Sequence, residues 1–109
     1  LPALVVIHMG TNAGITRAWF DKYMRLLGPE RRVVWVTLQL RNDYTRYTYE
    51  ARSNAVIRAA VKAYPNARLF DWNKVSEAHS RAWLIADGIH LTFAGRRAYA
   101  ALINAIARA

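Results

Sequence analysis

The chain has 109 residues, with 16 Lys and Arg against 7 Asp and Glu, a formal net charge of +9 and no cysteine. This length holds one domain at most, and the lack of cysteine excludes a disulfide framework, a thiolate metal site and a cysteine nucleophile. A hydrophobic fraction of 54% is too high for a disordered tail, yet no apolar run reaches the roughly 18 residues of a membrane span. The sequence therefore predicts a single packed domain.

Short β-branched runs alternate with longer helical stretches along the chain. The run LVVIHM at 4–9 predicts a strand buried on both faces. Apolar residues at helical spacing follow, and they predict a helix that begins after Thr16 and ends at Gly28-Pro29. The run VVWVTL at 33–38 predicts the second strand.

The second half of the chain continues this alternation. The expected elements are a loop at 39–48, a helix at 49–64, a strand at 67–72, a short helical piece at 73–80, a loop through Asp87 and His90, and a final helix that Thr92 caps. Strands that alternate with helices form a parallel sheet with right-handed crossovers and helices on both faces, the doubly wound α/β class. Such sheets bind ligands beyond the carboxyl ends of their strands. Functional residues are therefore expected at 10–13, 39–44 and 71–87.

The basic charge is dispersed over the whole chain. Arg occurs in every segment, without a Lys/Arg block or an Arg-Gly-aromatic motif. Dispersed Arg is typical of solvated helix faces, whereas nucleic-acid binding usually gathers basic residues into one patch. We therefore expect no nucleic-acid partner, and a basic nucleic-acid-binding domain is kept as an alternative that salt-dependent DNA binding would reveal.

The first candidate motif is Gly10-Thr11-Asn12-Ala13-Gly14, directly after the first predicted strand. In one interpretation this is only a tight strand-to-helix loop, in which Asn12 bonds to its own backbone. In the other, the Asn12 side-chain amide donates a hydrogen bond to an oxyanion. The spacing alone does not decide between the two.

The second candidate motif is Asp87-Gly88-Ile89-His90, which precedes the last predicted helix. An Asp three residues before a His can direct its carboxylate onto one ring nitrogen, which fixes the tautomer and stabilises the imidazolium. The other ring nitrogen then serves as a general base. The structural alternative is a histidine held near a helix start by capping and packing.

Taken together and in this order, VVIHMGTNAG and DGIHLTFAGRRAYAALI resemble the third and fifth sequence blocks of the SGNH hydrolases, also called GDSL-type esterases and acyltransferases. The nearest likeness is to the SGNH domains of bacterial membrane acyltransferases that acetylate cell-wall or surface polysaccharides. The resemblance implies a three-layer α/β/α sandwich with a flavodoxin-like parallel sheet. Residues 1–109 would form the carboxyl-terminal portion of a single such domain, a truncated SGNH fold with three strands.

The resemblance also implies roles for individual residues. His90 would be the general base, Asp87 its orienting partner and Asn12 an oxyanion-hole donor. We assign Gly10, Thr11 and Trp83 to substrate binding, Trp83 because a rim aromatic just before Asp87 can stack against an acyl or sugar group. The implied mechanism needs neither a metal nor another cofactor, and the sequence shows no metal-ligand spacing such as H-x-x-x-H.

The nucleophile of the family is a Ser in a G-D-S turn, and its oxyanion hole also uses a Gly from a second block. The serines here are Ser53, Ser76 and Ser80, and none lies in such a turn. We therefore expect the nucleophilic Ser upstream of this chain, in a turn after a strand that, by the resemblance, lies beside the LVVIHM strand. The alternative is a catalytically inactive SGNH-like interaction module.

The implied function is that of a serine esterase or O-acyltransferase, active only when the upstream segment is present. Its partners would be acylated carbohydrates or small esters, with acetyl as the expected acyl group. The chain would belong to a longer, membrane-anchored acyltransferase whose catalytic domain lies outside the cytoplasmic membrane, in the cell envelope.

Overall fold

Three parallel strands form one open sheet in the order β1-β2-β3. The computed structural model describes residues 3–10, 13–40 and 49–109. The strands are β1 (Leu4–Ile7), β2 (Arg32–Val36) and β3 (Ala67–Phe70). In the paired register, Val33 of β2 lies opposite Val5 of β1 and Ala67 of β3.

Helices cover both faces of this sheet. They are α1 (Arg17–Leu27), α2 (Glu50–Ala60, extended by a 3-10 turn at Val61–Ala63), α3 (Trp72–Glu77), α4 (Ser80–Trp83) and α5 (Phe93–Arg108). The predicted α/β class with a parallel sheet is confirmed. Within the described residues, none of these helices has the length and apolar character that crossing a membrane requires.

Alternate residues of β2 face two separate clusters of apolar side chains. Val33 and Trp35 pack on one side, where Phe20 of α1 stacks on the Trp35 ring at a centroid distance of 4.1 Å. Val34 and Val36 pack on the other side, where α5 covers the sheet. Because the side chains of these four residues are at most 1% exposed, β2 is the centre of the core.

The first and last long helices begin at the predicted caps. The hydroxyl of Thr16 accepts a hydrogen bond from the Trp19 N–H at 3.2 Å, and that of Thr92 accepts one from the Gly95 N–H at 3.1 Å. Such caps satisfy amides that have no partner within the helix. The cap at Thr92 also fixes where the loop that carries His90 ends.

β1 differs from the buried strand predicted at 4–9. It ends at Ile7, and Val6 is 38% exposed. Val6 is exposed because β1 is an edge strand. Within the described residues β1 pairs with β2 alone, and its other side is open. The β-branched run correctly predicts a strand, but it cannot show how many neighbours that strand has.

β3 ends at Phe70, two residues before the predicted end of the strand. The Asp71 side chain caps α3 by accepting a hydrogen bond from the Lys74 N–H at 3.4 Å, and it also accepts one from the Thr37 hydroxyl at 2.9 Å. Arg58 binds the same carboxylate through two nitrogens at 2.8 and 2.9 Å. The cap and the ion pair hold Asp71 in place, so β3 ends at Phe70 and α3 begins at Trp72.

Candidate active site

Asp87 and His90 form a hydrogen-bonded pair in the loop between α4 and α5. Asp87 Oδ2 binds His90 Nδ1, while Asp87 Oδ1 accepts hydrogen bonds from the Ile89 and His90 N–H groups at 2.9 and 3.0 Å. The carboxylate thus holds both the backbone of the turn and the imidazole ring. His90 Nε2 is left as the nitrogen that can take a proton, on a side chain that is 74% exposed.

Backbone contacts hold this loop against the preceding segment. The Ile85 N–H donates to the His90 carbonyl at 2.9 Å, and the Thr92 N–H donates to the Trp83 carbonyl at 2.8 Å. The Thr92 hydroxyl also donates to the Ala82 carbonyl at 2.6 Å. The general-base candidate is therefore held on both sides, although its ring faces solvent.

The charge of Asp87 is fixed by its partners. Desolvation raises the pKa of the Asp87 carboxyl, but hydrogen bonds from the His90 ring and from the Ile89 and His90 N–H groups outweigh it and lower the pKa to about 2. A lowered pKa means that the carboxylate holds the loop at any pH above its ordinary value and loses this hold as the pH falls toward 2. Asp87 is therefore anionic throughout the range in which a histidine base operates.

We expect an NMR titration of the Asp87 side-chain carboxyl carbon to show a midpoint near pH 2. The physical reason is that three hydrogen bonds are made to the anionic form. A midpoint for Asp87 close to 4 would show that the hydrogen-bonded turn does not form in solution.

The predicted oxyanion loop begins at the carboxyl end of β1. Gly10 has a φ of 110°, and its carbonyl accepts a hydrogen bond from the Gly14 N–H at 2.6 Å. This φ lies in the region that favours glycine, so the tight turn requires Gly10. Asn12 and Thr11 lie outside the described residues, and their roles stay predictions.

Two cavities flank the end of β1, and His8 lines both. The smaller, of about 270 Å³, also contacts Gln39, Trp72 and Ile89, the neighbour of His90. The larger, of about 510 Å³, contacts Gly10 and an apolar wall that includes Met9 and Trp19. The sequence places Gly10 and the His90 loop 80 residues apart, and the fold brings the end of β1 and this loop to the same cavity.

His8, the residue that follows β1, is partly exposed, and its ring packs against Tyr99. Its Nδ1 lies 2.8 Å from the Tyr99 hydroxyl, and the two rings stack at a centroid distance of 5.5 Å. Desolvation in this contact lowers the pKa of the His8 imidazole to about 4. His8 therefore lines both cavities as an uncharged side chain near neutral pH.

Side-chain amides form hydrogen bonds at the carboxyl ends of β2 and β3, where the sequence predicts functional residues at 39–44 and 71–87 but none of these contacts. The Gln39 amide, 5% exposed, donates to Glu77 at 3.1 Å and accepts from Asn73 at 2.7 Å. Asn54 binds both the N–H and the carbonyl of Leu38, at 2.7 and 2.8 Å. The polar loop predicted at 39–48 thus starts inside the protein, and residues 41–48 lie outside the described residues.

Two of the three serines are occupied by structural hydrogen bonds. Ser53 is 1% exposed and accepts from the Ile15 N–H at 3.0 Å, while the Ser76 hydroxyl is fully buried and donates to the Trp72 carbonyl at 2.6 Å. Ser80 begins α4, a regular helix without the strained turn of a nucleophile. Among the residues that the structure describes, no three His, Asp or Glu side chains form a metal-binding group.

Trp83, the predicted rim aromatic, is stacked on two neighbouring rings. Its ring lies 5.5 Å from that of Trp72, at an interplanar angle of 7°, and 4.2 Å from that of His79, at 19°. Its carbonyl also anchors Thr92. The visible role of Trp83 is to support the loop, and its substrate-binding role stays a prediction.

Comparison with known proteins finds similarity to O-acetyltransferases. The O-acetyltransferase OatA of Staphylococcus aureus strain NCTC 8325 is 32% identical over 99 residues, which cover 91% of this chain. A protein of strain MSSA476, whose name assigns O-acetyltransferase activity provisionally, is 33% identical over 91 residues, or 84% of this chain. The chain is related to O-acetyltransferases.

This relationship concerns only a small part of each relative. The chain spans 15% of the length of OatA and 14% of that of the strain MSSA476 protein. No family model matches the chain. The activity of a whole relative is therefore carried over only as a proposal.

Proposed function

We propose that the chain is the carboxyl-terminal part of an SGNH-type serine O-acyltransferase or esterase that acts on ester-linked acyl groups, expected to be acetyl, of carbohydrate or cell-wall substrates. The observation that carries this proposal is the Asp87–His90 pair, with Nδ1 bound to the carboxylate and Nε2 left to act as a base. The similarity to O-acetyltransferases supports the same class of reaction.

In the proposed reaction, His90 Nε2 takes the proton of a serine hydroxyl supplied by an upstream segment. The serine oxygen attacks the ester carbonyl carbon, and the Asn12 amide stabilises the oxyanion. When the bond to the alcohol breaks, the His90 imidazolium returns the proton to the leaving oxygen. A sugar hydroxyl or water then attacks the acyl-enzyme by the same route, which restores the serine.

The open side of β1 supports an upstream position for that serine. Within the described residues β1 has one strand partner, and the exposed Val6 and Met9 lie along it. Native sheets seldom leave such an apolar edge uncovered. We infer that an upstream strand pairs with β1 and ends beside the two cavities, where Gly10 and Thr11 would contact the substrate.

The proposal is tested on the full-length protein with a fluorophosphonate probe, which reacts with activated serines. We expect one labelled serine upstream of Leu1 and none at Ser53, Ser76 or Ser80, as read by peptide mass mapping. Labelling should fall at least about tenfold in the His90→Ala variant, because the serine loses its base. Absence of any labelled serine would overturn the proposal in favour of an inactive SGNH-like interaction module.

The proposal also implies a location. If the acceptor is a wall or surface polysaccharide, the catalytic domain works outside the cytoplasmic membrane, as part of a longer, membrane-anchored protein. The proposed chemistry requires no metal or organic cofactor, since the serine, histidine and amide groups supply the nucleophile, the base and the oxyanion donor.

A further inference from the structure

An exposed aromatic side chain stands beside the proposed general base. Phe93, the first residue of α5, is 69% exposed, and no other large apolar side chain in the described residues is more exposed. Phe93 is three positions after His90, so their Cα atoms are at most about 11 Å apart. The Thr92 cap and the bond from the Thr92 N–H to Trp83 fix where the helix and this side chain begin.

The charge around this aromatic is positive. The Arg97 guanidinium carbon lies 5.9 Å from the centre of the Phe93 ring, one helical turn along α5. Arg81 and Arg96 on the adjoining helices are exposed as well. Residues 80–109 contain four arginines and one carboxylate side chain, that of Asp87, which His90 already binds. This surface thus combines an exposed aromatic ring with the exposed guanidinium groups of Arg81, Arg96 and Arg97.

We propose that Phe93 and Arg97 form the acceptor-binding surface, and that its ligand is a glycan chain with carboxylate substituents. This inference rests on the proposed function, since it identifies the acceptor of the acyl group. The flat apolar face of a sugar ring stacks on an aromatic ring, and a guanidinium binds a carboxylate through two parallel hydrogen bonds. When one sugar unit stacks on Phe93, the next sugar unit of the same glycan lies within reach of His90.

Phe93 is a second candidate for the role of rim aromatic, which the sequence predicts for Trp83. The Trp83 ring is occupied by Trp72 and His79, whereas Phe93 leaves most of its ring to solvent. A single exposed apolar side chain needs no ligand to explain it, and Leu26 is as exposed as Phe93. What distinguishes Phe93 is its position, three residues after His90 and beside the Arg97 guanidinium. The cationic surroundings favour an anionic ligand over a neutral one.

The test measures binding of the full-length protein to two soluble glycan probes, anionic polygalacturonate and neutral dextran. We expect preferential binding to polygalacturonate that weakens with added salt. The Phe93→Ala variant should bind about tenfold more weakly and Phe93→Trp should restore binding, as expected of an aromatic anchor. Arg97→Ala should remove the preference for the anionic probe, and Arg97→Lys should retain part of it.

Leu26→Ala is the matched control, because Leu26 is 68% exposed on α1 and far along the chain from His90. Equal binding by the unmodified protein, Phe93→Ala and Leu26→Ala would overturn the inference. So would a lowered Tm of Phe93→Ala with unchanged glycan binding, which would show that another part of the protein covers Phe93. Phe93-dependent binding without a fluorophosphonate-reactive serine would instead retain this surface and overturn the proposed function.

Discussion

Replacing His90 with Ala in the full-length protein should lower kcat/KM for ester cleavage by at least about 10³-fold. The imidazole carries the proton in both halves of the proposed reaction, and none of the described residues offers a second base held by a carboxylate in this way. The measurement is steady-state hydrolysis of a small acetyl ester. Because the His90 side chain is 74% exposed, its removal should leave the Tm unchanged within error.

The Asp87→Asn variant distinguishes a catalytic pair from two independent residues. Asn cannot supply the anionic partner of His90 Nδ1, so we expect a loss of about 10²–10⁴-fold. The effects of substituting residues that act as one unit do not add. The variant with both Asp87→Asn and His90→Ala should therefore be no slower than His90→Ala alone. Leu26→Ala, at an exposed position on α1, is the control, with an expected change of less than a few-fold. Activity of His90→Ala within a few-fold of the unmodified protein would reject the assignment.

Local sequence patterns predict much of this fold because each element carries its own signal. The β-branched runs mark the strands, and Thr16 and Thr92 mark the starts of α1 and α5 through hydrogen bonds that span three residues. The exposure of β1 and the early end of β3 escape this reasoning. The exposure of β1 depends on its having a single strand neighbour within the described residues, and the early end of β3 depends on Arg58, which is 13 positions before Asp71.

The same distinction applies to the site. Asp87 and His90 are three positions apart, and a contact between their side chains is one of the two interpretations that this spacing allows; the structure shows that contact. The network of Gln39, Asn54 and Asn73 joins residues 16 to 38 positions apart and has no local pattern. Trp83 and Phe93 are both aromatic residues near His90, and only packing distinguishes the stacked ring from the exposed one.

The second large effect is expected at Gly95, where α5 crosses the end of α4. A Cβ atom at this position would lie 2.2 Å from the Trp83 carbonyl oxygen and 2.9 Å from its carbon. No side-chain rotation relieves a clash with backbone. We expect Gly95→Ala to lower the free energy of unfolding by about 2–3 kcal/mol, the cost of overpacking a closely packed contact, as measured by urea denaturation.

Whether Gly95→Ala raises or lowers the free energy of unfolding identifies the cause of the change. Without a clash, Gly to Ala within a helix stabilises by about 0.5–1 kcal/mol. The reverse change at an exposed position of the same helix, Ala101→Gly, should destabilise by that smaller amount and provides the scale for helix propensity. Stabilisation by Gly95→Ala would therefore show that α5 does not approach Trp83 so closely. The Trp83 carbonyl also accepts the Thr92 N–H, so the clash should displace the loop that positions His90 and reduce activity together with stability.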